Sequence, residues 1–310
     1  MSLDRIVKSN LPRIAVIGFG EAGRIFAGAF VAAGVPRVAV YDILFDGKDG
    51  APVLKQAATA AGAVPCDTPA AAALGADVIL AAVTASSALE AATTAAGYIA
   101  PGQVYLDVNS VAPSTKRAAA ARIERAGGRY VEAAVMASVP PYGLRVPMLF
   151  GGPWGRMLAE RLQPLGMAIE VFDRDIGYVS AVKMCRSVMI KGIEALVVEA
   201  MTAAHEYGVE DQVLASLDET FPGLDWQKQA AYMAGRVVKH GKRRAEEMRE
   251  AAKAVADIGL EPLMASATAE RQQWVADRIA SNRFDGTKPA LADLAQIFRA
   301  QLKGKAGGAS

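Results

Sequence analysis

Cysteine and histidine are nearly missing from this sequence, with two of each in 310 residues. Cys66 and Cys185 have no zinc spacing and are too few for a disulfide framework, which fits a reducing compartment. His205 and His240 have no metal-ligand spacing either, so no metal is expected. An excess of one charge is also missing. Lys and Arg total 34 against 32 Asp and Glu, a net charge of +2. That balance does not describe a nucleic-acid surface. Long apolar runs are absent: Val78 to Leu89 is weakly polar, but it includes Thr84, Ser86 and Ser87 and falls short of the roughly 18 residues a membrane span needs. The N-terminal residues lack the order of regions of a signal peptide. Glycine (29) and proline (15) are too few and too scattered for a fibrous chain. What remains, 52% hydrophobic and 21% charged residues, is a globular composition. The expectation is a cytoplasmic protein of about two domains, with no nucleic-acid or membrane partner.

The first half alternates between two patterns. Short apolar strands are expected at 13–17, 37–41, 77–83, 104–107 and 130–135, with two more at 148–150 and 168–172. Ala-rich helical stretches separate them, including 21–33 with Ile25, Phe26, Ala29 and Phe30 on one face. Strands apolar on both faces and joined by helices predict a parallel sheet. After about Asp175 the strand signals stop. Residues 176–207 read as one long helix ending at Gly208, and helical patterns continue over 225–240, 242–258 and 266–282, divided at Gly241, Gly259 and Pro262. The predicted division is an α/β domain over 11–174 and an all-helical domain over 175–303, with a frayed, solvated tail beyond.

Gly18-Phe19-Gly20-Glu21-Ala22-Gly23 is a GxGxxG that follows a predicted strand and opens a predicted helix. In that context it reads as a dinucleotide turn. Gly18 permits the tight turn, Gly20 lets the backbone approach a pyrophosphate, and Gly23 lets helix and sheet pack closely. The helix N-terminus then faces the phosphates with free N–H groups and its positive dipole end. Asp42 ends the second strand, where a carboxylate hydrogen-bonds an adenosine ribose and favours NAD over NADP. Lys48, in the following loop, can reach a 2′-phosphate, so NADP stays open.

Other residues belong to the same chemistry. Asn109 and Ser110 follow the strand ending at Asp107, where polar side chains face a ligand crevice; Ser110 or Ser114 equally suits the N-cap of the next helix. Lys183, Arg186, Ser187 and Lys191 share one face of the long helix with Ile190, which fits a cleft wall. Arg186 beside Lys183 disfavours the charged ammonium and brings Lys183 toward acid/base use. The run from His240 to Glu250 is dense in charge and contains the i,i+4 pairs Lys242–Glu246 and Arg243–Glu247. A solvated helix is the default reading, and an anion-binding cap is the functional one.

Together these motifs resemble the β-hydroxyacid dehydrogenases, the superfamily of 3-hydroxyisobutyrate and 6-phosphogluconate dehydrogenases. GFGEAG looks like the family's cofactor fingerprint, and DVNSVAP like its D-x-S-T-x-x-P segment. GGRYVEAAVMASVP sits where the family has its substrate loop, and GYVSAVKMCRS looks like the helix carrying its catalytic lysine. The stretch FPGLDW…HGKRRAEEMREAA…GLEP is similar to a domain of unknown function found in one branch. The resemblance implies a Rossmann domain, a catalytic role for Lys183, and Val83 and Thr84 beside the nicotinamide ribose. It also implies that Asn109 and Ser110 lie beside nicotinamide and substrate. Met136, Ala137 and Ser138 replace the family's loop serine and glycines, and Arg186 and Ser187 replace its two asparagines. Both changes touch substrate recognition.

The expected activity is hydride transfer between NAD(P) and a hydroxy acid or related alcohol. Lys183 is the general acid/base, and Arg186, Lys191 or the helix near His240 holds the substrate anion. A homodimer through the helical domain is expected, because Leu196, Val197, Val198 and Met201 are apolar on more than one helix face. An imine reductase on the same scaffold, or a dinucleotide-binding sensor or scaffold without turnover, are the alternatives.

Overall fold

The computed structural model describes residues 11–47 and 50–282. Lys48, the C-terminal tail and the stretch 283–303 of the expected helical domain lie outside the described residues. The described chain divides into two compact units between Met184 and Cys185.

The first unit is built on one sheet. Its strands are β1 (Ile14–Ile17), β2 (Val38–Tyr41), β3 (Val64–Pro65), β4 (Val78–Ala81), β5 (Val104–Asp107), β6 (Arg129–Val135), β7 (Met148–Gly151) and β8 (Ile169–Val171). They lie in the order β3-β2-β1-β4-β5-β6-β7-β8. All neighbours are parallel except β6 and β7. The first six strands therefore have the 3-2-1-4-5-6 order of a dinucleotide-binding sheet, with the switch point between β1 and β4. The helices between the strands are α1 (Glu21–Ala32), α2 (Ala51–Ala60), α3 (Pro69–Ala73), α4 (Ala88–Ala96), α5 (Pro113–Arg125) and α6 (Gly155–Leu162).

Alternate strand residues feed opposite faces of the sheet. Val16, Val40, Leu80, Leu106 and Val131 pack with Phe26 and Phe30 of α1. Ala15, Ala39, Ile79, Tyr105 and Tyr130 pack with Ala92, Ala95, Ala119 and Ile123. The second face combines alanines of β1 and β2 with the large buried rings of Tyr105 and Tyr130. Phe26 and Phe30 are fully buried, which contributes roughly 1.5–3 kcal/mol each.

The second unit is helical. The helix α7 (Tyr178–Tyr207) begins in the first unit and continues into it, followed by α8 (Glu210–Thr220), α9 (Trp226–Ala256) and α10 (Leu263–Asn282). Val198, Ala234, Val237 and Val275 form one apolar cluster, and Val197, Met201, Ala204, Leu214 and Ala230 another. Gly241 does not divide a helix as the sequence pattern suggested, because α9 runs through it. A Cβ at Gly241 would stand 2.9 Å from the Gln272 carbonyl oxygen. The glycine is there for close approach of α10. The short strand β3 and the helix α8 are additions to the sequence reading. No helix among the described residues is long and apolar enough to cross a membrane.

Candidate functional site

The parallel strands β1, β4, β5 and β6 all end at one edge of the sheet. That edge collects Gly18–Gly23, Val83, Thr84, Asn109, Ser110 and Met136–Ser138, each on the segment that leaves a strand.

The turn after β1 is closed on its protein side and open on the other. Gly18 has φ +96°, and a Cβ there would lie 2.3 Å from the Ala82 carbonyl oxygen, at the end of β4. A Cβ at Gly23 would lie 1.9 Å from the Gly18 oxygen, whereas one at Gly20 would meet nothing within 4 Å. Gly20 is the cap of α1 and supplies no side-chain acceptor to its N–H groups. Phe19 is buried against Phe45, and its N–H donates to Asp42 Oδ2 at 2.6 Å. Asp42 Oδ1 accepts from the Leu44 N–H at 2.9 Å. The carboxylate thus braces the turn while staying partly exposed. Arg24 adds a second brace, donating from Nε to the Phe19 carbonyl at 2.9 Å. Glu21 is exposed at the start of α1, and Ala22 is half-buried beside it.

The segments after β4 and β5 are tied together. Asn109, 4% exposed, accepts from the Val83 N–H at 2.8 Å through Oδ1. Its Nδ2 and backbone N–H both donate to Asp107 Oδ1, at 2.7 and 2.9 Å. The same carboxylate pairs with Lys116 Nζ at 3.0 Å and accepts from Tyr130 Oη at 2.7 Å. Lys116 also donates to the Asp107 carbonyl at 2.8 Å. Asp107 and Lys116 are each 1% exposed. Burial, and the neighbouring Asp107 charge, push the Tyr130 phenol well above its ordinary range. Thr84 is exposed and bonds Ser86 and Ser87, both at 3.1 Å. Neither Ser110 nor Ser114 caps α5: the helix starts at Pro113 with Ala112 as its cap. The preset φ of proline serves in place of a side-chain acceptor.

Met136, Ala137 and Ser138 leave the end of β6. The Met136 N–H donates to the Pro147 carbonyl at 2.9 Å, and Ala137 and Ser138 are exposed. Lys183 is half-buried on the second turn of α7. Arg186 is exposed and Ser187 is buried. Lys191 is 6% exposed, with its Nζ 2.6 Å from Glu247 Oε2 and 3.3 Å from Ser187 Oγ. Burial pulls the Lys191 ammonium below its ordinary range, Glu247 opposes that, and Arg244 and Arg243 reinforce it. His240 is half-buried on α9.

The charge run on α9 is not only a solvated face. Gly241, Arg244, Ala245 and Met248 are buried, and Arg244 pairs with the buried Glu194 of α7. Sequence reasoning missed this pairing, because i,i+4 charge spacing looks the same on a solvated face. It also passed over Asp107, Lys116 and Glu132. A charge in the middle of an otherwise apolar strand was the available signal for Glu132.

Residues 13–140 match the NAD binding domain of 6-phosphogluconate dehydrogenase, and residues 204–275 match a domain of unknown function, DUF1932. A conserved hypothetical protein from Sinorhizobium meliloti is 38% identical with a TM-score of 0.71, over 94% of this chain and 98% of that one. A conserved protein of unknown function, described as structurally similar to 3-hydroxyacid dehydrogenases, is 31% identical with a TM-score of 0.65, over 86% and 97%. The Mycobacterium tuberculosis 3-hydroxyisobutyrate dehydrogenase, solved with L-serine, shares the fold at 18% identity and a TM-score of 0.65, over 93% and 99%. A reductive aminase from Aspergillus terreus and an imine reductase variant from Myxococcus stipitatus also share the fold, each at 17% identity and a TM-score of 0.55, over 93% of this chain and 99% of that one. An uncharacterized protein of Methanothermus fervidus is 30% identical over 53% of this chain; the match spans 63% of that relative.

Proposed function

Because the chain belongs to the family of 3-hydroxyisobutyrate dehydrogenase-like and 6-phosphogluconate dehydrogenase-like proteins, in the branch carrying DUF1932, we propose that it is an NAD(P)-dependent oxidoreductase of hydroxy acids or related alcohols. The observation that carries this reading is the glycine turn at the β1/β4 switch point. It is packed against protein at Gly18 and Gly23 and open at Gly20. An uncapped helix N-terminus behind an open glycine is what a pyrophosphate requires, so the residues fit a dinucleotide. Asp42 has acceptor capacity beyond its bonds to Phe19 and Leu44. It is the group that takes the adenosine ribose hydroxyls, and a 2′-phosphate beside it is disfavoured. NAD is therefore the preferred cofactor.

When bound, nicotinamide supplies the hydride acceptor or donor. Lys183 takes the hydroxyl proton during oxidation and returns it during reduction. Arg186, one turn further along α7, holds the substrate carboxylate. Lys191 is already engaged by Glu247 and Ser187, which favours Arg186 over it, with the helix near His240 as the other candidate for the anion. Asn109 spends both ends of its amide on Val83 and Asp107 and acts by shaping the segment after β4. The departures from the family pattern at Met136, Ala137 and Ser138, and separately at Arg186 and Ser187, favour a bulkier or differently charged acid than 3-hydroxyisobutyrate. Of the four residues behind the expected homodimer, Val197, Val198 and Met201 are covered within the chain and Leu196 is exposed; the dimer therefore rests on Leu196 and the exposed Met189 of α7, and a monomer mass by light scattering at micromolar protein removes that part of the reading.

The test is NADH formation with a panel of hydroxy acids, aromatic ones included. Turnover with at least one supports the proposal. Turnover of cyclic imines alone moves it to imine reduction, and binding of NADH without any turnover moves it to a sensor or scaffold.

A further inference from the structure

Glu132 sits in the middle of β6 and is fully buried. Its neighbours Val131, Ala133 and Ala134 are apolar and buried too. A carboxylate in such a place is costly unless something uses it. Oε1 accepts from the Gly177 N–H at 2.8 Å and from the Val179 N–H at 3.3 Å. These are backbone groups at the start of α7, where helical N–H groups have no partner of their own. Ser180 closes the same turn by donating from Oγ to the Gly177 carbonyl at 3.1 Å.

Space has been made for this carboxylate. Gly151 lies directly opposite Glu132 in the β6–β7 register, and a Cβ there would stand 2.7 Å from Oε1. Gly177 has φ +109°, a backbone that side chains rarely adopt, and this turns its N–H toward Glu132. Around the carboxylate stand Lys116 from α5, Asp107 at the matching register position of β5, and Tyr105 and Tyr130 two residues earlier on β5 and β6. Burial pushes the Glu132 carboxyl above its ordinary range, and Lys116 with the Gly177 and Val179 N–H groups pull it back.

We propose that Glu132 is a positioning residue: it fixes the first turn of α7 and thereby sets where Lys183 presents its amine. Lys183 follows Val179 by four residues, about 6 Å along a rigid helix. A capping residue on the surface would fray with its loop. A carboxylate on a central strand position is anchored by the sheet on its backbone side and by Gly177 and Val179 through Oε1, while Oε2 is buried without a partner, so the helix start is tied to the sheet. This inference rests on the reading of Lys183 as the acid/base group, and its test is built to separate the two.

Glu132→Ala removes the acceptor. Glu132→Gln keeps a carbonyl oxygen for Gly177 and Val179, and Gly151→Ala crowds Oε1 without removing it. Three readouts are compared with the wild type: hydrogen exchange of the amides of 177–183, the pH dependence of Lys183 acylation followed by mass spectrometry, and turnover. The expected result for Glu132→Ala is faster exchange over 177–183, a displaced Lys183 acylation curve and a turnover at least tenfold lower, with NADH affinity within a few-fold. Glu132→Gln restores most of each, and Gly151→Ala reproduces the Ala pattern if Glu132→Ala does not fold. If no substrate is turned over even by the wild type, the enzymatic reading fails while the acylation curves still decide this inference. An unchanged Lys183 acylation curve in both Glu132→Ala and Gly151→Ala overturns it.

Discussion

The two units bury charge in different ways. In the α/β unit the charges stand at register positions of neighbouring strands. Asp107 and Glu132 face each other across β5 and β6, and Lys116 reaches Asp107 from α5. Asp107 has four protein donors around it: Lys116, Tyr130 and the two N–H groups of Asn109. In the helical unit Lys191, Glu194 and Arg244 are also buried; Arg244 and Glu194 pair with each other, but Lys191 and Glu194 also meet partners nearer to solvent. Glu247, opposite Lys191, is 19% exposed, and Arg236, opposite Glu194, is 30% exposed. Gln272 is fully buried with neither amide atom bonded. A strand fixes a side chain's direction by its pleat, so the donors around Asp107 are all in place, although Glu132 Oε2 and Tyr105 Oη beside them are buried without a hydrogen-bond partner. Long helices offer rotating faces and flexible side chains, and the network there is looser. The Asp107 network ties together the segments after β4 and β5, and the looser one joins Lys191 and Glu194 of α7 to α9, of which only α9 lies within the matched domain of unknown function.

The largest expected effect is at Lys183. Replacement by Met lowers kcat by about 10²–10⁴, the usual loss of a positioned acid/base group. NADH affinity stays within a few-fold, because the dinucleotide is held at Gly18–Gly23. Lys183→Arg does not recover the activity, since guanidinium keeps its proton at working pH. Kinetics with the first substrate found, together with fluorescence titration of NADH, checks both halves.

Next comes the contrast between the two networks. Lys116→Met strands Asp107 in the core and is expected to lower unfolding free energy by about 3–5 kcal/mol. Lys191→Met leaves Glu247 with access to water and to Arg243 and should be milder, about 1–3 kcal/mol on the same scale. Urea unfolding of both variants measures the difference. Equal losses would remove the distinction drawn between the units.

The glycine turn sharpens the comparison further. Gly23→Ala forces a Cβ onto the Gly18 carbonyl, so both thermal stability and NADH binding should fall. Gly20→Ala meets open space, so Tm should hold while NADH binding weakens about tenfold, as expected when a methyl blocks close backbone approach to phosphate. Asp42→Ala is smaller: the preference for NADH over NADPH narrows by about 1 kcal/mol, the scale of one hydrogen bond. Paired titrations with the two cofactors read it.

Much of the α/β unit was legible because its signals are local. An apolar run, a glycine turn and an amphipathic helix each lie within a dozen residues, and β1, α1 and their turn follow from residues 14–32 alone. What stayed hidden depends on distance along the chain. Glu132 bonds Gly177 and Val179 across more than forty residues, and nothing near Glu132 announces that use. Gly241 was read as a helix break because local propensity penalises glycine; its reason lies on α10. Arg244 and Glu247 were read as a solvated face because their partners, Glu194 and Lys191, are about fifty residues away. The segments nearest the proposed chemistry, Asn109 and Lys183, were found by motif, and what holds them in place was not.

The smallest expected effect is a surface one. Arg13 bonds Asp77 through Nε at 3.2 Å, and although partial burial pushes the Asp77 carboxyl up, the bond and charge of Arg13 hold it below its ordinary range. A carboxyl lowered in the folded state adds stability above its unfolded pKa, and that contribution is lost as pH falls through the folded value. Arg13→Leu should therefore destabilise only slightly at neutral pH. The gap from wild type should close in acid, as chemical denaturation across pH will read.

Hydride transfer itself can be followed with NADH deuterated at the reactive carbon, offered with a panel of oxo acids, aldehydes and imines. The expected result is a product carrying deuterium on the former carbonyl carbon of an oxo acid or aldehyde, formed by the wild type and lost in Lys183→Met. Bound NADH with no label passed to any member of the panel contradicts it.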